Sequence, residues 1–370
     1  MMPHQRLVIT GMRVTRVPLT LREPYAIAYQ SIERFDNLLV ELETQRGVVG
    51  LGVAAPDLDV TGETIEDTHA GLLHVEPLLH GEDGAGYVRL VEAVRDALPK
   101  APSVRAAVDM ALVDLISKSA GVPAWRLLGG YRERFPTSVT IGILSLEETI
   151  QAVERRVIKD GFSIIKVKGG ADVDGDIARL RAVRKRFPYI ELRFDANCGY
   201  HVDQALHFAR ETVACGISIY EQPVPRVELG QLGNIALATQ MSVMADESMM
   251  SARDCFRLAQ PVGKAHDGEQ KMVDMINVKL MKVGGLEDAV QVNAVARTAG
   301  IETMVGCMDE CELSIAASLA FALSRRNVTA VDLDGHLDLD NDPTAGKCLR
   351  IVGGVMIPSE EPGLGLDRLG

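Results

Sequence analysis

The chain of 370 residues has no low-complexity tract, no run of apolar residues approaching membrane-spanning length, and no CxxC pair among its six cysteines. Each absence excludes something. Without a spanning run there is no expected transmembrane helix. The opening "MMPHQRLVITGM" has no apolar h-region and no small-residue cleavage site, so a cytoplasmic location is expected. Cys198, Cys215, Cys255, Cys307, Cys311 and Cys348 are scattered along a long chain and read as reduced, packed thiols. Cys307 and Cys311 have no matching Cys or His pair nearby, so they do not make a zinc site. Positive charge is in deficit, 39 Lys and Arg against 51 Asp and Glu, which argues against a nucleic-acid or anionic-membrane surface. Neither GxGxxG nor GxxxxGK[ST] follows any candidate strand. A doubly wound sheet would be expected to carry such a turn early.

What is present divides in two. Residues 5–54 alternate like antiparallel strands, in "RLVITGMRVTRVPL" and "DNLLVELETQRGVVGLGVA", with "REPYAIAYQSIERF" between them reading as a loop that could close over a ligand. "SVRAAVDMALVDLISKSAG" then has helical apolar spacing and a terminal glycine. Strands followed by helices imply an N-terminal α+β capping domain, expected over residues 1–125. Beyond "GVPAWRLLGGYRERF" strands and helices alternate. The strand-end markers Lys168, Asp195, Glu221, Asp246, Lys279, Cys307 and Asp332 follow at steps of roughly 25 to 33 residues, the length of a βα unit. The expected fold class is therefore α/β, a modified (β/α)8 TIM-type barrel of the form (β/α)7β, over residues 126–345. "QPVGKAHDGEQK" reads as a local insertion, centred on 262–271. Residues 346–370 contain no helical pattern and are expected to fold back on the capping domain.

The chemistry sits at the strand ends, where barrel active sites form. "FSIIKVKGG" alternates Lys166 and Lys168 with aliphatics, so both ammonium groups share one strand face. In order there follow Asp195 with Asn197, Glu221, Asp246, Lys279, and Asp332 with Asp334. A single terminal Asp is commonly a helix N-cap. Three carboxylates on successive strands, however, repel one another unless a cation lies between them. All-oxygen ligands favour Mg2+ over zinc. Lys168 and Lys279 fall four strands apart in a ring of eight and so nearly face each other. Setting Lys166 beside Lys168 penalises the charged form, which helps one of them act as a neutral amine. The alternative is that both lysines simply neutralise the acids.

"KVK", "DAN", "EQP", "ADES" and "NVKLMKVGG", in this order and at barrel spacing, resemble the enolase superfamily, in its muconate-lactonizing-enzyme subgroup. "AVDLDG" and "VGCM" with Glu310 are similar to its dipeptide epimerases. The resemblance implies Mg2+ on Asp195, Glu221 and Asp246, and Lys168 and Lys279 on opposite faces of a substrate α-carbon. Lys166 would tune Lys168 or touch the substrate. The implied reaction is 1,1-proton transfer at the C-terminal residue of a dipeptide through an enediolate. A Lys or His base paired with Mg2+ on such an intermediate is the established pattern of enolase-superfamily sites. Asp332 and Asp334 would bind the free α-ammonium. A succinylbenzoate synthase, an N-acylamino acid racemase or a cycloisomerase of the same subgroup is the alternative. For specificity, Gln30 aligns where Ala-Glu epimerases carry an arginine, and Asp309, Glu310 and Glu312 near Met308 suggest cationic, Lys- or Arg-containing dipeptides. Val53 departs from the Glu that many relatives carry there. Asn197 and Met308 complete the expected substrate contacts, and His336 lies close to the mouth. The expected partners are a small dipeptide and further copies of the chain in a homo-oligomer, with neither nucleic acid nor membrane.

Overall fold

A computed structural model describes residues 6–28, 31–265 and 268–369. The N-terminal unit opens with an antiparallel three-stranded meander, Ile9–Ala26, Ser31–Thr44 and Val49–Ala54. The first two strands are longer than the alternation suggested. Pairing continues through Thr20 with Arg34 and Tyr25 with Ile32, so most of the span expected to be a loop is a twisted ribbon. Its register shifts between Thr20 and Tyr25. The ribbon leaves its own sheet core and carries Leu21, Tyr25 and Ile32 over the barrel mouth. A segment that packs against another domain has no reason to show the periodicity of its own sheet.

Helix Pro102–Ala120 is buried on nearly every side. A helix apolar all round belongs inside a protein. It lies directly on the third strand. A Cβ at Gly50 or Gly52 would come within 2.1 and 2.0 Å of the carbonyl oxygens of Ala111 and Ala107, so only glycine permits this approach. Gly121, at φ 70, ends the helix in the left-handed conformation.

Eight parallel strands then follow: Val139–Ile141, Ile164–Lys168, Glu191–Asp195, Ile217–Glu221, Ser242–Ala245, Met275–Val278, Glu302–Gly306 and Val328–Asp332. They neighbour one another in sequence order, as in a (β/α)7β barrel. Beneath the mouth, Ile219, Met244, Met275, Met304 and Ala330 form a small apolar floor. The first and eighth strands are not joined by a ladder among the described residues. Ser138 N donates to Val331 O at 3.3 Å, and Ser138 Oγ donates to Asp332 Oδ1 at 2.6 Å. Leu333 N donates to Thr137 Oγ1 at 2.9 Å and Thr140 N to Asp334 Oδ2 at 2.6 Å. One backbone bond and three bonds to or from side chains thus close the ring.

The expected insertion is a hairpin pairing Pro261–Ala265 with Gly268–Lys271. In the tail, Leu349–Val352 pairs with Val355–Pro358, which pairs with Phe135–Pro136. Leu364 N then donates to Asp114 Oδ1 on the buried helix at 2.7 Å. Glu312, at the start of helix Glu312–Ser324, accepts from the backbone N–H groups of Gly346, Lys347, Cys348 and Leu349 at 2.7, 2.9, 2.7 and 3.3 Å. Among the described residues no helix is long and apolar enough to cross a membrane.

Candidate active site

On the second barrel strand Ile165 and Val167 are wholly buried in the outer core, which turns Lys166 and Lys168 inward. Register then aligns Lys168 with Asp195 and Asp195 with Glu221 across three adjacent strands. Asp246 follows one residue past the fifth strand. One oxygen from each of Asp195, Glu221 and Asp246 lies within 4.8 Å of the others. Lys168 Nζ donates to Asp195 Oδ2 at 2.7 Å, and Lys279 Nζ forms an ion pair with Asp246 Oδ2 at 2.9 Å. Both lysines open into one cavity of about 200 Å³.

Lys166 is almost entirely buried. Its ammonium contacts Asp195 Oδ2 at 3.1 Å, Glu221 Oε2 at 2.7 Å and Asp332 Oδ2 at 2.7 Å. Burial works to lower its pKa, but Asp332, Glu221 and Asp195 outweigh burial and hold it well above the usual lysine value. Lys166 and Lys168 therefore share one oxygen, Oδ2 of Asp195, and Lys166 neutralises the acids. Lys279 likewise stands well above the usual value: burial lowers it and Asp246 more than compensates. Among the acids, burial and then Asp195 push Glu221 up to about 8. Burial and then Asp246 push Glu247 up to about 7. For Asp246 burial acts upward, yet Lys279 and Lys282 hold it well below the ordinary carboxylate range.

The residues present fit a hard divalent cation. The donors are all oxygens, and burial together with neighbouring acids raises Glu221 and Glu247. Three buried oxygens near the trio, Asn197 Oδ1, Glu247 Oε2 and Asn277 Oδ1, have no hydrogen-bond partner among the described residues. Acceptors left free beside a carboxylate cluster suit the water shell that Mg2+ keeps.

The other residues singled out in the sequence fall in different places. Asp332 and Asp334 both line the cavity while closing the barrel seam. Asn197, at φ 43, donates its backbone N–H to Asp195 Oδ1 at 2.9 Å and its side-chain amide to Glu247 Oε1 at 3.2 Å. Met308 and Asp309 line the cavity. Burial, more than any other influence, pushes Asp309 up to about 6. Glu310 does not line the cavity. It is fully buried, with Oε1 accepting from Met308 N at 2.7 Å and Oε2 from the Ser314 hydroxyl, so it closes a turn ahead of the next helix. That corrects its place among the expected substrate contacts. Glu312 holds the tail and is no pocket residue either. His336 lies beside Asp342 and outside the cavity lining. Gln30 lies outside the described residues.

Four further residues belong to the site without having stood out in the sequence. Tyr25 reaches Asp309 from the N-terminal ribbon, and Asp57 lines the cavity from the same unit. Asn277 Nδ2 donates to Glu221 Oε1 at 2.7 Å. Lys282 is wholly buried against Asp246. "NVKLMKVGG" contains the last two, but an Asn in a strand and a second Lys after a turn carry no signal of their own.

Comparison with known proteins matches residues 9–129 to the mandelate racemase / muconate lactonizing enzyme N-terminal domain and residues 148–368 to the enolase C-terminal domain-like family. The chain belongs to the enolase superfamily. Within that superfamily it is 40% identical over 356 residues to the L-Lys-D/L-Arg epimerase of Methylococcus capsulatus, covering 96% of this chain and 97% of the relative. It is 37% identical over 366 residues to the enzyme of the same name from Desulforapulum autotrophicum, covering 98% and 99%. The crystal structure of the Methylococcus capsulatus dipeptide epimerase complexed with Mg and the dipeptide L-Arg-D-Lys superposes with a TM-score of 0.90 at 38% identity, covering 98% of this chain and 100% of that one.

Proposed function

We propose that this enolase-superfamily protein is a Mg2+-dependent dipeptide epimerase that inverts the α-carbon of the C-terminal residue and prefers Lys- or Arg-containing dipeptides. One observation carries the reading: Lys168 and Lys279, rooted four strands apart in a ring of eight, reach into one cavity with the acid trio between them. A carbon held between two amines can lose a proton to one and receive a proton from the other on its opposite face. The acceptor is a lysine in its neutral form and the donor is the other as ammonium; an ion on Asp246 would offset the negative charge that otherwise holds Lys279 protonated, and reversing the reaction exchanges the roles.

Asp195, Glu221 and Asp246 would hold Mg2+, which when bound supplies Lewis-acid stabilisation of the negative charge that gathers on the substrate carboxylate. Asn197 orders Asp195 through its backbone N–H. Asp332 and Asp334 receive the substrate's α-ammonium. Lys166 bridges Asp332 to the trio and so ties the amine end to the carboxylate end. An N-acylamino acid would instead bring an acyl group to this acidic wall, and a succinyl group would bring a carboxylate to it. On the capping side, Asp309 and Asp57 give a cationic side chain a negative wall, and Met308 contacts its apolar stem. Closure of the N-terminal ribbon over the ligand and assembly into a homo-oligomer belong to the same reading. Sedimentation checks the assembly.

The test is incubation with Mg2+ and a dipeptide library in deuterated water, read by mass spectrometry and chiral chromatography. The expected result is one deuteron at the C-terminal α-carbon together with epimerisation, most rapidly for Lys- and Arg-containing members. Folded protein that exchanges and epimerises none of them overturns the proposal. Formation of o-succinylbenzoate in place of epimerisation would move the protein to the lyases of its subgroup.

A further inference from the structure

The three acids have an asymmetry that their ligand role alone does not require. Each carboxylate has one oxygen facing the lysines and the other tied to a fixed donor. Asp195 Oδ2 meets Lys166 and Lys168, and its Oδ1 accepts from Asn197 N at 2.9 Å. Glu221 Oε2 meets Lys166, and its Oε1 accepts from Asn277 Nδ2 at 2.7 Å. Asp246 Oδ2 meets Lys279, and its Oδ1 accepts from Lys282 Nζ.

The two side-chain donors are immobilised. Asn277 is fully buried, and its amide is accommodated by Gly306 on the adjacent strand, where a Cβ would stand 2.6 Å from Asn277 Oδ1. Lys282 emerges from the helical turn Leu280–Val283 that follows the sixth barrel strand. Its ammonium binds Asp246 Oδ1, Asp246 O at 2.6 Å and Asn277 O at 3.1 Å. Three acceptors use all three of an ammonium's hydrogens. Lys282 is therefore held away from the cavity, unlike Lys279, and does not line it.

We propose that Asn277 and Lys282 are positioning residues that restrict the acid trio to one metal-facing oxygen per carboxylate, and that this restriction selects Mg2+ over Ca2+. The inference rests on the reading of the trio as the ion site. Ca2+ takes six to eight oxygens at longer distances and commonly uses carboxylates through both oxygens. Mg2+ demands near-octahedral, short contacts and retains water. Each carboxylate oxygen keeps a second lone pair, but a buried donor on one of them pins the plane and orientation of the group and so disfavours turning both oxygens to one ion. Such supporting hydrogen bonds are worth about 10- to 100-fold in metal affinity elsewhere.

The experiment measures Mg2+ and Ca2+ affinities, by calorimetric titration and by the ion-dependent rise in Tm, for the unaltered protein, Asn277→Ala and Lys282→Met. The preparations are checked for native circular dichroism. Freed to rotate, Glu221 or Asp246 is expected to weaken Mg2+ binding by about 10-fold or more while Ca2+ binding falls less. The Mg2+ to Ca2+ preference then drops by about an order of magnitude. Asn277→Ala deletes atoms without adding bulk or charge and carries the test where Lys282→Met does not fold. Folded variants that lose affinity for both ions equally, or for neither, overturn the inference and leave the ion site standing. Binding of neither ion by the unaltered protein overturns the site itself.

Discussion

Tyr25 donates its hydroxyl to the carboxylate of Asp309, 2.9 Å from Oδ1 and 3.0 Å from Oδ2, across 284 positions of sequence. One residue comes from the N-terminal ribbon and the other from the loop after the seventh barrel strand. Asn37 reinforces the same joint: its side chain donates to Asp309 O at 3.2 Å and accepts from Cys311 N at 2.9 Å. The capping unit thus fixes the loop that forms one wall of the cavity.

That wall sets an expectation for specificity. Asp309→Asn should lower kcat/KM for Lys- or Arg-containing dipeptides by about 10- to 100-fold, the scale of a lost charged hydrogen bond. Dipeptides without a cationic side chain should change little. Tyr25→Phe frees the carboxylate and should act in the same direction, less strongly. Burial pushes Asp309 up to about 6, so its charge is lost as pH falls through that value. The kcat/KM advantage of cationic dipeptides should therefore shrink below about pH 6. Steady-state kinetics on paired substrates across pH 5 to 8 checks it.

Each lysine can be deleted alone. Lys168→Ala and Lys279→Ala should each reduce epimerisation by about 1,000-fold, within the usual range for general acid–base groups. Isotope exchange should fall differently. The remaining amine still reaches its own face, so one epimer of the dipeptide should exchange its α-hydrogen for deuterium without inversion, and the opposite epimer should do so in the other variant. Proton NMR in deuterated water resolves the two cases.

Stability should respond to pH through Asp109, which is on the buried helix of the capping unit and does not line the cavity. Asp109 is wholly buried, accepts from the Tyr87 hydroxyl at 2.7 Å and caps Glu287 N at 2.8 Å. Burial above all raises its carboxyl to about 7. A folded-state value above the unfolded one means that the native state binds more protons between roughly pH 4 and 7. The stability linked to this group is complete below about pH 4 and is lost as pH rises through 7. Asp109→Asn cannot ionise, so the decline in Tm from pH 5 to pH 8 should be shallower in the variant. Thermal denaturation at four pH values measures the slope.

Glu312→Gln should destabilise without touching catalysis directly. Gln has one acceptor oxygen where Glu has two, and four backbone donors of the tail depend on that side chain. The expected loss is about 3 kcal/mol, from buried N–H groups left without a charged acceptor. A lower urea midpoint at unchanged slope is the readout.

The barrel and its ring of acids are legible in the sequence because period-2 alternation and βα spacing are local, repeated signals. "KVK" displays its inward face in the sequence itself. The supporting residues are not legible. Lys282 is three residues from Lys279, and only the helical turn between them decides that one ammonium enters the cavity and the other goes behind Asp246. Asp309 and Glu310 are adjacent acids of the same charge, separated in role by the direction of one backbone step. The ribbon over residues 22–26 reads as a loop because its side chains answer to the barrel mouth and not to its own sheet.

The acids assigned to the substrate's amino end also fasten the first strand of the ring to the last, through Ser138 and Thr140. Asp309 fastens no strand of the ring. Divergence in what the enzyme accepts should therefore be lopsided. Side-chain preference is free to drift, whereas abandoning a free amine would unbutton the architecture unless Ser138 changed in step and the backbone N–H of Thr140 found another acceptor.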